Sequence, residues 1–159
     1  MLNRSNPKLL RAWLLVLLWA AVVWSLGGDS FSASETSRFL RPMLEWLFPD
    51  FSVSDMYRLL YAIRKTAHIV EYALLAVLIL RALWIGSLRS LLQSLGLTLV
   101  LVATMAIADE SRQSTSAARG GSGWDVLLDL SGAFLAVAIV LLIQSQLRRP
   151  LFPTDHHSA

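Results

Sequence analysis

Arg64, Lys65, His68, Glu71 and Tyr72 fall within nine positions, at spacings that place the other four within one helical turn of His68. A helix through this stretch therefore gathers two bases, an imidazole, a carboxylate and a phenol on one face. Further along, Asp109, Glu110 and Gln113 share a turn, and Asp125 and Asp129 are four apart, about 6 Å along a helix axis. Arg112 and Arg119 fall between these acids, in a segment expected to be a short connecting loop where Gly120, Gly121 and Gly123 let the chain turn closely. In sum, five acids, four bases and a histidine belong to one candidate cluster, in a chain only 16% charged.

Three kinds of chemistry suit such a set. Opposite charges on neighbouring helices can pair and fix register, with His68 as a hydrogen-bonded core residue. Alternatively, Arg64, Lys65 and Arg119, beside the helix N-termini expected near His68 and Asp125, can hold a phosphate or carboxylate. In a catalytic version, His68 or Glu71 is the general base, while Asp109 and Glu110 act as acid or hold a divalent cation. Catalysis has the least support, because no nucleophile motif and no phosphate-cradling glycine loop occurs. His68-x-x-Glu71 with Asp109 or Asp125 does not match a recognised zinc spacing, so no metal and no cofactor is assigned. The absence of cysteine excludes disulfides, thiolate ligands and a catalytic thiol. The candidate binding residues are Arg64, Lys65, His68, Glu71, Tyr72, Asp109, Glu110, Gln113, Arg119, Asp125 and Asp129.

The elements that must position them are set by hydrophobicity. With 55% hydrophobic residues and a mean hydropathy of +0.57, the 159-residue chain is too apolar for an ordinary soluble domain. Apolar runs at 12–26, 66–84, 91–108 and 124–143 approach the length of a spanning helix. The expected fold is all-α and polytopic, with four transmembrane helices. The first run has the basic flank of a secretory signal, yet no clean small-x-small site follows it, so an uncleaved helix is expected. Between the first two runs, Ser34 is a candidate N-cap for a short amphipathic helix through Phe39, Leu40, Met43, Leu44, Leu47 and Phe48, ending before Pro49. Ser54 and Asp55 signal a helical lead-in, Met56 to Ile63, to the second span. The organisation expected is a first helix with basic flank over 1–26, an extracytoplasmic segment over 27–65, a three-helix core over 66–143 and a cytoplasmic tail over 144–159.

Chain parity puts the second span's start, the third span's end and the fourth span's start on one side of the membrane, so the charged positions converge there. The basic residues flanking the spans divide evenly between the two sides. If Arg64, Lys65, Arg112 and Arg119 belong to a site, the remainder favours the side of the termini by seven to three, which makes it cytoplasmic. The net charge of +3 then suits contact with anionic lipid rather than nucleic acid. Trp46 and Trp124 suit the opposite interface. No internal repeat of the transporter kind occurs.

Lys65-Thr-Ala-His68-Ile-Val-Glu71-Tyr72, Asp109-Glu110-Ser-Arg-Gln113, then Arg119, Asp125, Asp129 and Gly132 resemble the VanZ-like membrane proteins in order and spacing, over roughly 64–138. Two positions depart from that pattern: Asp129 stands where many relatives carry Asn, and Ala136 where a second Gly often follows. The second departure implies a looser helix approach. The resemblance implies a multispanning protein of the bacterial cytoplasmic membrane without an assigned reaction, and an association of the family's named member with resistance to teicoplanin-type glycopeptides. Expected partners are membrane lipids, with a lipid-linked cell-wall precursor or a glycopeptide as amphiphilic ligands. Oligomeric state is left open.

Overall fold

A computed structural model of the chain describes residues 6–86, 90–116 and 121–147. The expected site residue Arg119, the adjoining Gly120, the basic positions Arg4, Arg89, Arg148 and Arg149, and the tail from 150 onward lie outside the described residues. Among those described, the structure is all-α with no strand, and four of its helices are long and apolar enough to cross a membrane.

Helix α1 (Pro7–Leu26) starts where the Asn6 side chain accepts a hydrogen bond from the Lys8 amide at 3.0 Å, with Pro7 at the first helical position, where its missing N–H costs nothing. A short 3-10 turn, Asp29–Phe31, leads into α2 (Ala33–Leu47). Ser32, not the expected Ser34, caps α2. Its hydroxyl accepts from the Glu35 amide at 3.5 Å, and Ser34 lies against the same hydroxyl at 3.0 Å, so two serines compete and the earlier one prevails.

Helix α3 (Val53–Ile85) runs 33 residues without a break, so the expected lead-in and second span are one element, capped by Ser52 rather than Ser54. At about 1.5 Å per residue it is about 50 Å long, against about 30 Å of hydrocarbon. Since its apolar run begins at residue 66, the first dozen residues stand beyond the membrane core, and the division expected at 65 falls inside the helix. Leu44 of α2 packs there on Met56 and Leu60. The start of α3 lies about 22 Å from His68 along the axis, so the helix N-terminus expected beside His68 is not there.

Helix α4 (Leu91–Ser114) and α5 (Gly123–Gln146) complete the bundle. Arg112, expected in a loop, occupies the last turn of α4. Centrally placed α3 packs against each of the other four helices. Its Tyr72, Leu75, Ala76, Ile79 and Leu80 meet Val16 and Val23 of α1, Val102 and Ala106 of α4, and Ala133 and Val137 of α5 in one core. Between α3 and α5 the backbones approach closely: a Cβ on Gly132 would fall on the Ile69 carbonyl. At that level the approach is tight, contrary to the looseness expected from Ala136.

Candidate functional site

Two turns of α3 face two turns of α5 across the Gly132 crossing. Lys65 donates through Nζ to Asp125 Oδ1. One turn further in, His68 Nδ1 lies 3.2 Å from Asp129 Oδ1, a close polar contact without hydrogen-bond alignment. Steps of three residues on α3 and four on α5 keep these pairs in register. Asp125 sits in the first turn of α5, where a carboxylate is favoured by the helix dipole. Burial deepens inward: the Lys65 and Asp125 side chains are 20% and 17% exposed, those of His68 and Asp129 11% and 2%. Tyr72, one turn below His68, is wholly buried, and its hydroxyl has no hydrogen-bond partner among the described residues.

A second set ties α4 to the end of α1. Asp109, 2% exposed, accepts from Arg112 Nη2 at 2.7 Å and from Gln113 Nε2 at 2.8 Å. Arg112 also donates to the Trp24 carbonyl at 2.6 Å, with its guanidinium 4.1 Å from the Trp24 ring centroid. Gly27 fits against this cluster only because it lacks a side chain, since a Cβ would overlap the Asp109 carboxylate. Glu110 accepts from the Ser122 amide and so fastens the start of α5. The sequence singled out Asp109, Glu110 and Gln113 but not Trp24 or Gly27. Gly27 was visible only as part of a Gly-Gly pair after an apolar run.

Above the paired charges, α2, the Asp29–Phe31 turn and α3 enclose a groove of about 950 Å³. On α3 it is lined at spacings of four, three, four and three by Tyr57, Tyr61, Arg64, His68 and Glu71, a single helical stripe. The neighbouring stripe, Met56, Leu60 and Ile63, belongs to the cluster that holds α2 in place. Most of the wall is apolar, with Leu26, Phe31 and Leu40 opposite the α3 stripe. Its charged groups are Arg41, Arg58, Arg64 and Glu71. Arg41 donates to Glu45 at 2.7 Å and lies 5.8 Å from the Tyr57 ring centroid, while Arg58 is 3.7 Å from Asp55. Arg64 has no hydrogen bond or ion pair among the described residues. Glu71 is anchored through its backbone, whose carbonyl accepts from Trp19 Nε1 at 2.9 Å.

The candidate residues thus divide. Lys65, Asp125, Asp129, Asp109, Gln113 and Glu110 face other helices or the turn into α5, and Tyr72 is sealed in the core. Arg64 and Glu71 line the groove, and His68 belongs to both sets, with Nδ1 towards Asp129 and its ring at the groove. Among the described residues, no three of His, Asp or Glu gather closely enough to hold a metal ion.

No curated protein and no solved structure gives a significant match to the chain. A family model described as VanZ/LLP1 matches residues 12–144, which include α1 from Ala12 on, the groove and every interhelical pair described above. On that match, covering most of its length, the chain belongs to the VanZ/LLP1 family.

Proposed function

We propose that this membrane protein binds an amphiphile, an envelope lipid or a wall-directed compound, in the groove between α2 and α3 at the outer leaflet of the bacterial cytoplasmic membrane, with both termini in the cytoplasm. The observation that carries it is the groove itself: about 950 Å³, walls largely apolar, with Arg64, His68 and Glu71 in one stripe along α3. That volume is at the upper end of ordinary ligand sites, and apolar walls with a few polar groups are what an amphiphile needs. Its level supports the same function, because the apolar run of α3 begins between Arg64 and His68, where headgroup gives way to hydrocarbon. Trp46 and Trp124, 83% and 79% exposed, suit an interface at that height.

The test is to fill the groove without touching a charge. Ala67→Trp, at a small position on its wall, should strip co-purifying amphiphile from the full-length protein while thermal stability in detergent stays within the wild-type range. Equal amphiphile content in both proteins would end the proposal. A lipid-linked wall precursor and a teicoplanin-type glycopeptide are both amphiphiles of this kind. A strain carrying Ala67→Trp in place of the wild type should change its sensitivity to wall-active drugs if either is the ligand.

A second function, purely structural, is favoured by the Lys65–Asp125, His68–Asp129 and Arg112–Asp109 contacts, which use up most of the charged groups within the bundle. It accounts for those residues but leaves Arg64 in the groove without a task. Under it, charge substitutions lower stability and Ala67→Trp has no effect on bound lipid.

A further inference from the structure

The amphiphile proposed above leaves open the charge of its head group. Along α3 the groove runs from Tyr57 to Glu71, 14 residues or about 21 Å, comparable with the depth of one bilayer leaflet. Three arginines, Arg41, Arg58 and Arg64, line it against one carboxylate, Glu71. Arg41 and Arg58 are on opposite walls and each is partly compensated by an exposed acid, Glu45 and Asp55. Arg64 is different: half-buried, closer to the hydrocarbon boundary, and without an acid within ion-pairing distance among the described residues. The adjacent Lys65 is not available to a ligand, because Asp125 holds its ammonium. A half-buried guanidinium beside apolar walls is under-solvated, and a planar fork of donors matches a phosphate better than any other common head group. With Nδ1 turned to Asp129, His68 has only Nε2 left for a ligand.

We propose that the groove takes an anionic lipid from the surrounding bilayer, its phosphate on Arg64 with Arg41 and Arg58 as flanking positive charges, and its chains running inward from Arg64 past Ala67 towards the hydrocarbon. This rests on the amphiphile function and specifies the chemistry of the occupant.

The full-length protein is reconstituted with equal parts phosphatidylglycerol, phosphatidylethanolamine and diacylglycerol, then exchanged into lipid-free detergent, and the retained lipid is quantified by mass spectrometry. The wild type is expected to retain phosphatidylglycerol about tenfold over diacylglycerol, which lacks the phosphate, and by a smaller factor over phosphatidylethanolamine, whose phosphate is offset by an ammonium that the three arginines repel; Arg64→Ala is expected to lose both preferences, as removal of one charge-assisted contact predicts. Arg64→Lys keeps part of each. Melting in the same detergent guards against misfolding, and Arg64→Gln, which retains the length of the side chain and removes its charge, is the second variant should Arg64→Ala fail to fold. Equal retention of the three lipids by the wild type, or undiminished preference in Arg64→Gln, overturns the anionic assignment and leaves the amphiphile function standing. Retention of no lipid overturns both. Displacement of phosphatidylglycerol by millimolar glycerol phosphate would show a site for a free anion and also overturn the assignment to a bilayer lipid.

Discussion

Lys65 on α3 and Asp125 on α5 close an ion pair one helical turn outside the contact between His68 and Asp129, so the two helices are matched at two successive levels. Apolar side chains cannot do this in a membrane, because lipid tails compete equally well for them, and small residues and polar pairs set helix contacts instead. Gly132 brings the backbones together, and the pairs fix rotation and translation. Arg64, which lines the groove, has no ion pair among the described residues.

The Lys65–Asp125 pair is about four-fifths buried on both sides, so solvent screens it little. In a double-mutant cycle with Lys65→Ala, Asp125→Ala and the double variant, unfolding in micelles should give a coupling of about 0.5–3 kcal/mol, the two single losses together exceeding the loss in the double variant. Additive losses would mean that the two charges do not act on each other.

Two glycines at membrane depth should respond oppositely. A Cβ on Gly132 meets the Ile69 backbone, which cannot swing aside as a side chain tip does, so Gly132→Ala should destabilise by about 1–3 kcal/mol. Gly96 on α4 has open space around the same position, and Gly96→Ala should leave stability unchanged or raise it by about 0.4–1 kcal/mol. Melting temperatures of the two variants in one detergent decide the matter, and a tolerated Gly132→Ala would contradict the tight α3–α5 crossing.

Residue types and spacing displayed much of this site in the sequence. That Lys65, His68, Asp125 and Asp129 lie at one end of the bundle follows from helical periodicity plus chain parity, because both operate on side chains whose polarity is out of place in an apolar run; which acid each base meets does not follow, and depends on how α3 crosses α5. The clasp on α1 was not visible for the opposite reason: Arg112 grips the Trp24 carbonyl, and a backbone acceptor has no signature in residue identity. Arg64 and Lys65 share a helix face with His68, as their spacing predicts, inside the unbroken α3. The charges do not interrupt α3, because that part of it stands beyond the hydrocarbon, where a helix tolerates arginine and lysine as in any water-facing element. The groove depends on α2 folding back over that extension, a tertiary arrangement that α2's amphipathic pattern permits but does not specify.

Arg112 makes two kinds of contact at once, a double donation from Nη2 to Asp109 and the Trp24 carbonyl and a guanidinium placed over the indole, and the compact ammonium of lysine cannot reproduce the second. Arg112→Ala and Arg112→Lys should both release the end of α1 from α4, raising protease cleavage in the segment from Gly27 to Ser32 well above the wild-type rate under native conditions. Protection by Lys equal to that by Arg would show that charge alone holds the clasp.

Tyr72 offers the reverse case, a polar group whose removal should do no harm. Its ring fills the core between α1, α4 and α5, while its hydroxyl is buried with no partner among the described residues. A buried hydroxyl left unpaired costs about 1–3 kcal/mol, whereas the ring is kept intact in Tyr72→Phe. Stability of that variant should therefore range from unchanged to higher by that amount, and Tyr72→Ala, which also empties the ring's volume, should fall by about 3–5 kcal/mol. A clear loss in Tyr72→Phe would assign the hydroxyl a bonded partner in the folded protein, and the buried acids Asp129 and Asp109 would be the first to substitute in search of it.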